Sequence, residues 1–176
     1  WQCSMGKSKT WQVLHSSADQ CWQTPSALYE QLHAEFSFSL DAAALQTSAK
    51  CQMWYGPDHP DPSRQDSLQV CWCAHTVWLN PPYGRGIASW YAKALEASRA
   101  GATVVMLVMA NTDTAYWHRY AWLAHEIRFL KGRIKFIRSD GSPAAAAPKG
   151  SALVIFRPTP RAGDNPAMRA YKHGIK

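Results

Sequence analysis

The fold of this 176-residue chain is most constrained by one stretch, Val77-Trp78-Leu79-Asn80-Pro81-Pro82-Tyr83-Gly84. Valine, tryptophan and leucine favour a strand, and two prolines must end it because proline cannot donate a hydrogen bond to a neighbouring strand. Asn80 and Tyr83 are therefore expected at the C-terminal end of a buried strand, the edge where open α/β sheets bind ligands. There a planar ring can stack on Tyr83 while its amino group donates to the Asn80 amide oxygen and the Pro81 carbonyl.

Helices and strands alternate along the rest of the chain. Apolar residues at helical spacing predict helices at 25–36, 86–100 and 115–124, with a short one reaching Cys51. Alternating or continuous apolar runs predict strands at 36–41, 103–109, 129–130, 134–137 and 152–156, and residues 143–150 are predicted to form a loop. This order indicates a doubly wound α/β fold whose mostly parallel sheet has an antiparallel C-terminal edge.

The composition indicates one folded domain with a basic surface. Hydrophobic residues make up 47% of the chain and charged residues 18%, which excludes a disordered protein. We predict a flexible arm at residues 1–20, a folded domain at 21–157 and a basic tail at 158–176. The net charge of +7 favours a polyanionic partner.

The cysteines, histidines and hydropathy predict a soluble cytoplasmic protein without a metal. Five cysteines form no C-x-x-C pair, and Cys71 and Cys73 would point to opposite faces of a strand. We therefore interpret all five as reduced thiols. The seven histidines show no paired ligand spacing, no apolar run approaches the ~20 residues that span a membrane, and no signal peptide is recognisable at the N-terminus.

The tetrapeptide Asn80-Pro81-Pro82-Tyr83 resembles the catalytic signature of S-adenosylmethionine-dependent methyltransferases that act on adenine N6, cytosine N4 or glutamine. The order of further segments is similar to that in the phage-type DNA N6-adenine methyltransferases, and the resemblance covers roughly residues 15–157. These segments are Trp22-x-Thr24-Pro25, Leu40-Asp41-x-Ala43, Asp66-x-Leu68, Trp72, Gly132-Arg133-Ile134-x-Phe136 and Ser151-x-Leu153-Val154.

This resemblance implies a single-domain, Rossmann-like methyltransferase that uses S-adenosylmethionine and flips an adenine out of double-stranded DNA. Tyr83 would stack on the base, and Asn80 and the Pro81 carbonyl would accept from its amino group, with Pro82 completing the turn. The resemblance implies no metal and no covalent enzyme intermediate. It assigns cofactor contacts to Trp22, Thr24, Pro25, Asp41, Ala43, Asp66 and Asn80.

The cofactor residues also have plain structural interpretations. Thr24 and Pro25 suit the start of a helix, Asp41 suits an N-cap before the following alanines, and Asp66 suits a solvated loop. The chain also lacks the glycine-rich loop that most such enzymes place near the cofactor; the turn after Asp41 has alanines, which do not favour positive φ as glycine does.

Basic residues late in the chain and beside the Asn80-Pro81-Pro82-Tyr83 turn are candidates for phosphate contacts. Strand alternation predicts Arg133 and Lys135 on one face, opposite Ile134 and Phe136. Any single one of these charges has an ordinary solvated surface as its simplest interpretation, whereas together they favour a DNA-facing rim. The candidates are Arg85, Arg119, Lys131, Arg133 and Lys135.

The sequence leaves several alternatives open. Cytosine N4, RNA adenine and protein glutamine share the same amino-group geometry, although the basic charge argues against a protein substrate. The missing glycine-rich loop also leaves open a DNA- or cofactor-binding module without turnover. The oligomeric state, monomer or weak dimer, is not determined by the sequence.

Overall fold

The structure is a computed structural model that describes residues 23–137, 142–160 and 163–172. The predicted arm at residues 1–20 and Trp22 lie outside these ranges. Three α-helices and eight strands occur among the described residues. The helices are α1 (Ser26–Phe36), α2 (Ile87–Arg99) and α3 (Ala115–Tyr120), and 3-10 turns cover Pro62–Arg64 and Ala121–Leu123. The strands are β1 (Leu40–Asp41), β2 (Thr76–Leu79), β3 (Thr103–Met109), β4 (Glu126–Leu130), β5 (Lys135–Ile137), β6 (Pro143–Ala146), β7 (Ser151–Phe156) and β8 (Ala167–Tyr171).

Six strands form one sheet in the order β1-β2-β3-β7-β4-β8, and β5 pairs with β6 in a separate hairpin. Strands β1, β2 and β3 run parallel, so that Asp41 lies beside Trp78 and Leu79 beside Met106. Their C-terminal ends therefore meet at one edge, which we call the carboxyl edge. Asn80 directly follows β2 at this edge.

The one strand that runs against its neighbours in this sheet is β7, which is antiparallel to both β3 and β4. The sequence predicted an antiparallel edge, and that prediction is wrong in its position, because β7 is internal. All six residues of β7 are buried. A strand that is buried throughout needs neighbours on both sides, which an edge does not provide.

The sheet carries a hydrophobic core on each face. On one face, which we call the α2 face, Val104, Met106 and Val108 pack with residues of α2 and α3. On the other, the α1 face, Val105 and Leu107 pack with residues of α1 and the β5–β6 hairpin. Alternation along β3 produces this division. Four of the nine tryptophans are fully buried and belong to these cores; they are Trp72, Trp78, Trp90 and Trp117.

Two segments that the sequence assigned to loop or tail are strands. β6, within the predicted loop at 143–150, pairs antiparallel with β5. β8, within the predicted basic tail, pairs parallel with β4. Neither has a hydrophobic pattern that signals a strand: β6 is a proline followed by alanines, and β8 is almost wholly exposed. Backbone pairing with a neighbour defines both strands, and β8 forms without burying an apolar face.

Two local predictions before β2 are also wrong. The expected short helix reaching Cys51 is replaced by turns around residues 46–48. Cys71 and Cys73 are joined by a disulfide with their Cα atoms 5.4 Å apart, so they are not reduced thiols. They lie in a turn in which Ala74 has φ of 59°, so the alternation of a strand does not apply to them. Among the described residues no helix is long and apolar enough to cross a membrane.

Candidate functional site

The Asn80-Pro81-Pro82-Tyr83 turn lies at the carboxyl edge, where the sequence predicted it. Both prolines are buried, while Asn80 and Tyr83 are half-buried. The Tyr83 hydroxyl donates to Asn80 Oδ1 over 3.2 Å, which brings the amide oxygen beside the ring. Burial raises the pKa of Tyr83, so this hydroxyl keeps its proton and remains a donor. The turn thus presents an amide and an aromatic ring together.

The ring of Tyr83 meets that of Phe136 edge to face, with the centroids 6.2 Å apart. Phe136 belongs to β5 and is buried, as is Ile134 just before the strand, whereas Arg133 and Lys135 are exposed. This confirms the predicted alternation. The β5–β6 hairpin therefore packs against the Asn80-Pro81-Pro82-Tyr83 turn on the α1 face of the sheet.

Thr24 and Pro25 are buried, and the preceding residue Gln23 exchanges backbone hydrogen bonds of 2.8 and 3.0 Å with Ile137 in β5. The N-cap residue of α1 is Pro25, and no side chain caps the helix. The interpretation of Thr24 as a helix cap is therefore wrong. Its hydroxyl is buried without a hydrogen-bond partner among the described residues. Such a group is rare unless a ligand or water satisfies it.

The Asp41 carboxylate organises the turn that follows β1. It is 3% exposed and accepts from the backbone N–H groups of Ala43 at 3.3 Å and Lys50 at 3.0 Å. Burial raises the pKa of Asp41 from the usual 3.8 to about 6, and the bonds from Lys50 and Ala43 oppose this rise. Both oxygens thus bind loop backbone, and the turn, with the half-buried Ala43, is held at the carboxyl edge.

Gly56 is a structural residue of this site that the sequence reasoning missed. The segment 53–55 pairs with β1 through Asp41 N to Met53 O at 3.0 Å and Tyr55 N to Asp41 O at 2.9 Å. A Cβ at Gly56 would lie 1.7 Å from the Ala44 carbonyl oxygen. The neighbouring segment can therefore approach the turn after β1 this closely only because residue 56 carries no side chain. The signal was the pair of aromatic residues before the glycine, which favours a short strand.

The remaining predicted residues are one acidic and five basic side chains. Asp66 is half-buried and accepts from the backbone N–H of Leu68 at 3.3 Å, so the loop interpretation describes its local role. Arg85, Arg119, Lys131 and Lys135 are exposed. Arg133 is also exposed, but its Nη1 donates to the Ala147 carbonyl at 2.7 Å and so braces the hairpin. No group of three potential metal-ligating side chains occurs within residues 23–137, 142–160 and 163–172.

The sheet contains parallel and antiparallel strands and is flanked by helices, so the protein is of the α/β class. In open sheets of this class, ligands bind beyond the carboxyl ends of the strands, where Asn80 and Tyr83 lie. The family model described as DNA N-6-adenine-methyltransferase (Dam) matches residues 10–169. The chain therefore belongs to the Dam family of DNA N-6-adenine methyltransferases. It is also 27% identical, over 154 residues, to the DNA N-6-adenine-methyltransferase of Escherichia phage T1. That match covers 77% of this chain and 62% of the relative, so the chain spans less than two thirds of the relative's length.

Proposed function

We propose that the chain transfers a methyl group from S-adenosylmethionine to the N6 amino group of adenine in double-stranded DNA. The observation that carries the proposal is the pairing of Asn80 Oδ1 with Tyr83 at the carboxyl end of β2, in a chain of the Dam family. We include in the proposal a Rossmann-like arrangement of the sheet, with the methyl donor and the base meeting at this edge.

The Asn80-Pro81-Pro82-Tyr83 turn, which we call the catalytic turn, would act by position and electrostatics. The target adenine must leave the base stack because its N6 is not accessible inside the duplex. Tyr83 offers a ring on which the base stacks. Because its hydroxyl donates to Oδ1 of Asn80, this oxygen, rather than the amide nitrogen, lies on the side of Asn80 that is next to Tyr83. The amino group of a stacked adenine would then donate to Asn80 Oδ1 and the Pro81 carbonyl. Acceptance of both hydrogens turns the nitrogen lone pair toward the donor, and the product nitrogen loses a proton to solvent.

This mechanism needs no strong base and no covalent intermediate. Correct placement of two reactants can supply about 7–11 kcal/mol of a bimolecular barrier. The buried prolines restrict the turn that carries Asn80, because proline fixes φ near −65°. A turn that is rigid before the base arrives loses little entropy on binding it.

The residues around Thr24 and Asp41 fit a bound S-adenosylmethionine, which supplies an electrophilic methyl group. The buried Thr24 hydroxyl lacks a partner among the described residues and so suits a polar ligand group. Asp41 would act by holding the turn that contains Ala43, since its oxygens bind that turn. Pro25, Asp66 and Asn80 complete the proposed set, together with Trp22, which lies outside the described residues.

The DNA would lie across the carboxyl edge. Arg85 lies two residues after Tyr83, Lys131 precedes the hairpin that packs against this turn, and Lys135 is the first residue of that hairpin. Arg119, also exposed, lies in α3. We propose these four and Arg133 as phosphate contacts, so binding should weaken steeply with salt. We propose that the protein works in the cytoplasm of a bacterial or phage-infected cell, as a monomer or weak dimer without a metal.

Incubation of the purified chain with labelled S-adenosylmethionine and unmethylated duplex DNA, followed by digestion to nucleosides, tests the proposal. Label in N6-methyladenine is expected, and Asn80→Ala should remove it while cofactor affinity stays within a few-fold. Label in N4-methylcytosine would refute the adenine assignment. Absence of label from DNA, RNA and protein would indicate a binding module without turnover.

A further inference from the structure

A cavity of about 310 Å³ adjoins the catalytic turn on the α2 face of the sheet. It lies among the C-terminal end of β3, the first turns of α2 and the start of α3. Its volume is at the lower end of the range for small-ligand pockets in proteins. Its walls include Tyr83, Gly84, Tyr91, Val108, Asn111 and Tyr116.

Two polar atoms of this cavity are buried without a hydrogen-bond partner among the described residues, Tyr91 Oη and Asn111 Oδ1. Tyr91 is 0% exposed, and burial raises its pKa, so its hydroxyl is a donor. The other side of the Asn111 amide is used, because Nδ2 donates to Tyr116 Oη at 2.9 Å. That bond fixes Oδ1 as the remaining acceptor of the amide. The cavity therefore offers a donor and an acceptor within walls of tyrosine and aliphatic side chains.

This cavity is separate from the position proposed for methyl transfer. Tyr83 and Gly84 border it, but Asn80 and Pro81 are not among the described residues that line it. Tyr83 packs with the α1-face core and contacts Phe136, whereas Tyr91 and Val108 belong to the α2-face core. Tyr83 thus packs with the α1-face core and also borders the cavity on the α2 face.

The size, walls and location of the cavity suit a nucleobase. The half-buried Tyr116 offers ring surface for stacking, and its ring packs against that of Tyr91 with the centroids 5.3 Å apart. The Watson–Crick edge of every base offers at least one hydrogen-bond donor and one acceptor, the complement of Asn111 Oδ1 and Tyr91 Oη. The exposed Arg85 follows Gly84 at once and is placed to meet a backbone phosphate.

We propose that this cavity receives a second base of the DNA, a neighbour of the target adenine, and reads its edge through Tyr91 Oη and Asn111 Oδ1. This inference rests on the proposed function, because it takes DNA at the catalytic turn as the ligand. It makes Tyr91 and Asn111 the residues that determine specificity for this neighbouring base.

The substitution Tyr91→Phe is a sharp test because it removes a hydroxyl that has no partner among the described residues, so the fold should be unaffected. The preferred duplex is first selected by binding of the full chain to a pool of random duplexes. Affinities are then measured for that duplex and for versions with an abasic site at each position that flanks its adenines. Tyr120→Phe is the matched control, since Tyr120 lies in the same short helix as Tyr116 but does not line the cavity.

The wild-type protein and Tyr120→Phe should lose at least about tenfold in affinity when one particular neighbouring base is absent, because its hydrogen bonds and its stacking are lost together. Tyr91→Phe should bind the complete duplex about tenfold more weakly, and its further loss at the abasic position should be smaller than that of the wild type by the same factor, because the hydrogen bond of the hydroxyl is already missing. The same abasic loss in Tyr91→Phe as in the wild type would overturn the inference, and so would a wild type that is indifferent to every abasic position. Methyl transfer into the selected duplex is scored separately. Its absence would refute the proposed function, while the binding comparison would still decide whether the cavity holds a base.

Discussion

Asp41→Asn tests whether a buried carboxylate holds the turn beside β1 at the expense of stability. The wild-type side chain accepts from two backbone N–H groups and is almost completely buried. Asparagine has nearly the same shape but no charge, so it removes the ionisation while the packing remains.

The sign and size of the effect follow from the pKa of Asp41, which burial raises from 3.8 to about 6. A carboxyl group with a raised pKa in the folded state binds its proton more tightly when folded. Its contribution is therefore fully present below about pH 3.8 and is lost as the pH rises through about 6. At 1.36 kcal/mol per unit, the shift corresponds to about 3 kcal/mol, of which about 2 kcal/mol is lost between about pH 4.5 and pH 7. Solvent screening does not reduce this figure, since Asp41 is only 3% exposed.

Urea denaturation followed by tryptophan fluorescence gives the free energy of unfolding of the wild type and of Asp41→Asn at about pH 4.5, 5.5 and 7. The stability of the wild type relative to the variant should decline by about 2 kcal/mol across this range. Asp113→Asn, a change at an exposed position, is the control and should show no such trend. A wild type that gains stability over Asp41→Asn as the pH rises, or a constant difference, would refute the account of the carboxylate as buried and costly.

Three further perturbations address other parts of the site. Gly56→Ala should lower the stability by about 3 kcal/mol or more, visible as a lower Tm, because the new Cβ would overlap the backbone carbonyl of Ala44 and cannot rotate away; an unchanged Tm would contradict that contact. Tyr83→Ala should reduce kcat/KM by about tenfold to a hundredfold, the value of one base stacked on a ring, whereas Tyr83→Phe should cost only about threefold. Equal losses in both variants would assign the effect to the hydroxyl instead. Combined replacement of Lys131 and Lys135 by alanine should reduce the slope of log affinity against log salt by about two, measured by DNA titration; an unchanged slope would place the phosphates elsewhere.

The sequence by itself determined the features that depend on neighbouring residues. β-branched and aromatic residues followed closely by two prolines make a strand that ends just before Asn80, whatever the rest of the chain does. The same is true of α1 and α2, whose apolar residues recur at helical spacing, and of β3, an unbroken apolar run. The Asn80-Pro81-Pro82-Tyr83 turn could therefore be located, and the family recognised, without a structure.

Only the tertiary structure decided which distant segments meet. Gly56 matters because the Ala44 carbonyl packs against it, and a contact between residues twelve apart leaves no periodic signal. β8 forms by backbone pairing with β4 and shows no apolar pattern, and β7 is internal because it is buried throughout. Whether Thr24 caps its helix or leaves its hydroxyl buried without a partner among the described residues depended on the position of Pro25 at the N-cap. Local propensity acts through neighbours in the chain, whereas burial and hydrogen bonding are settled only when the strands have come together.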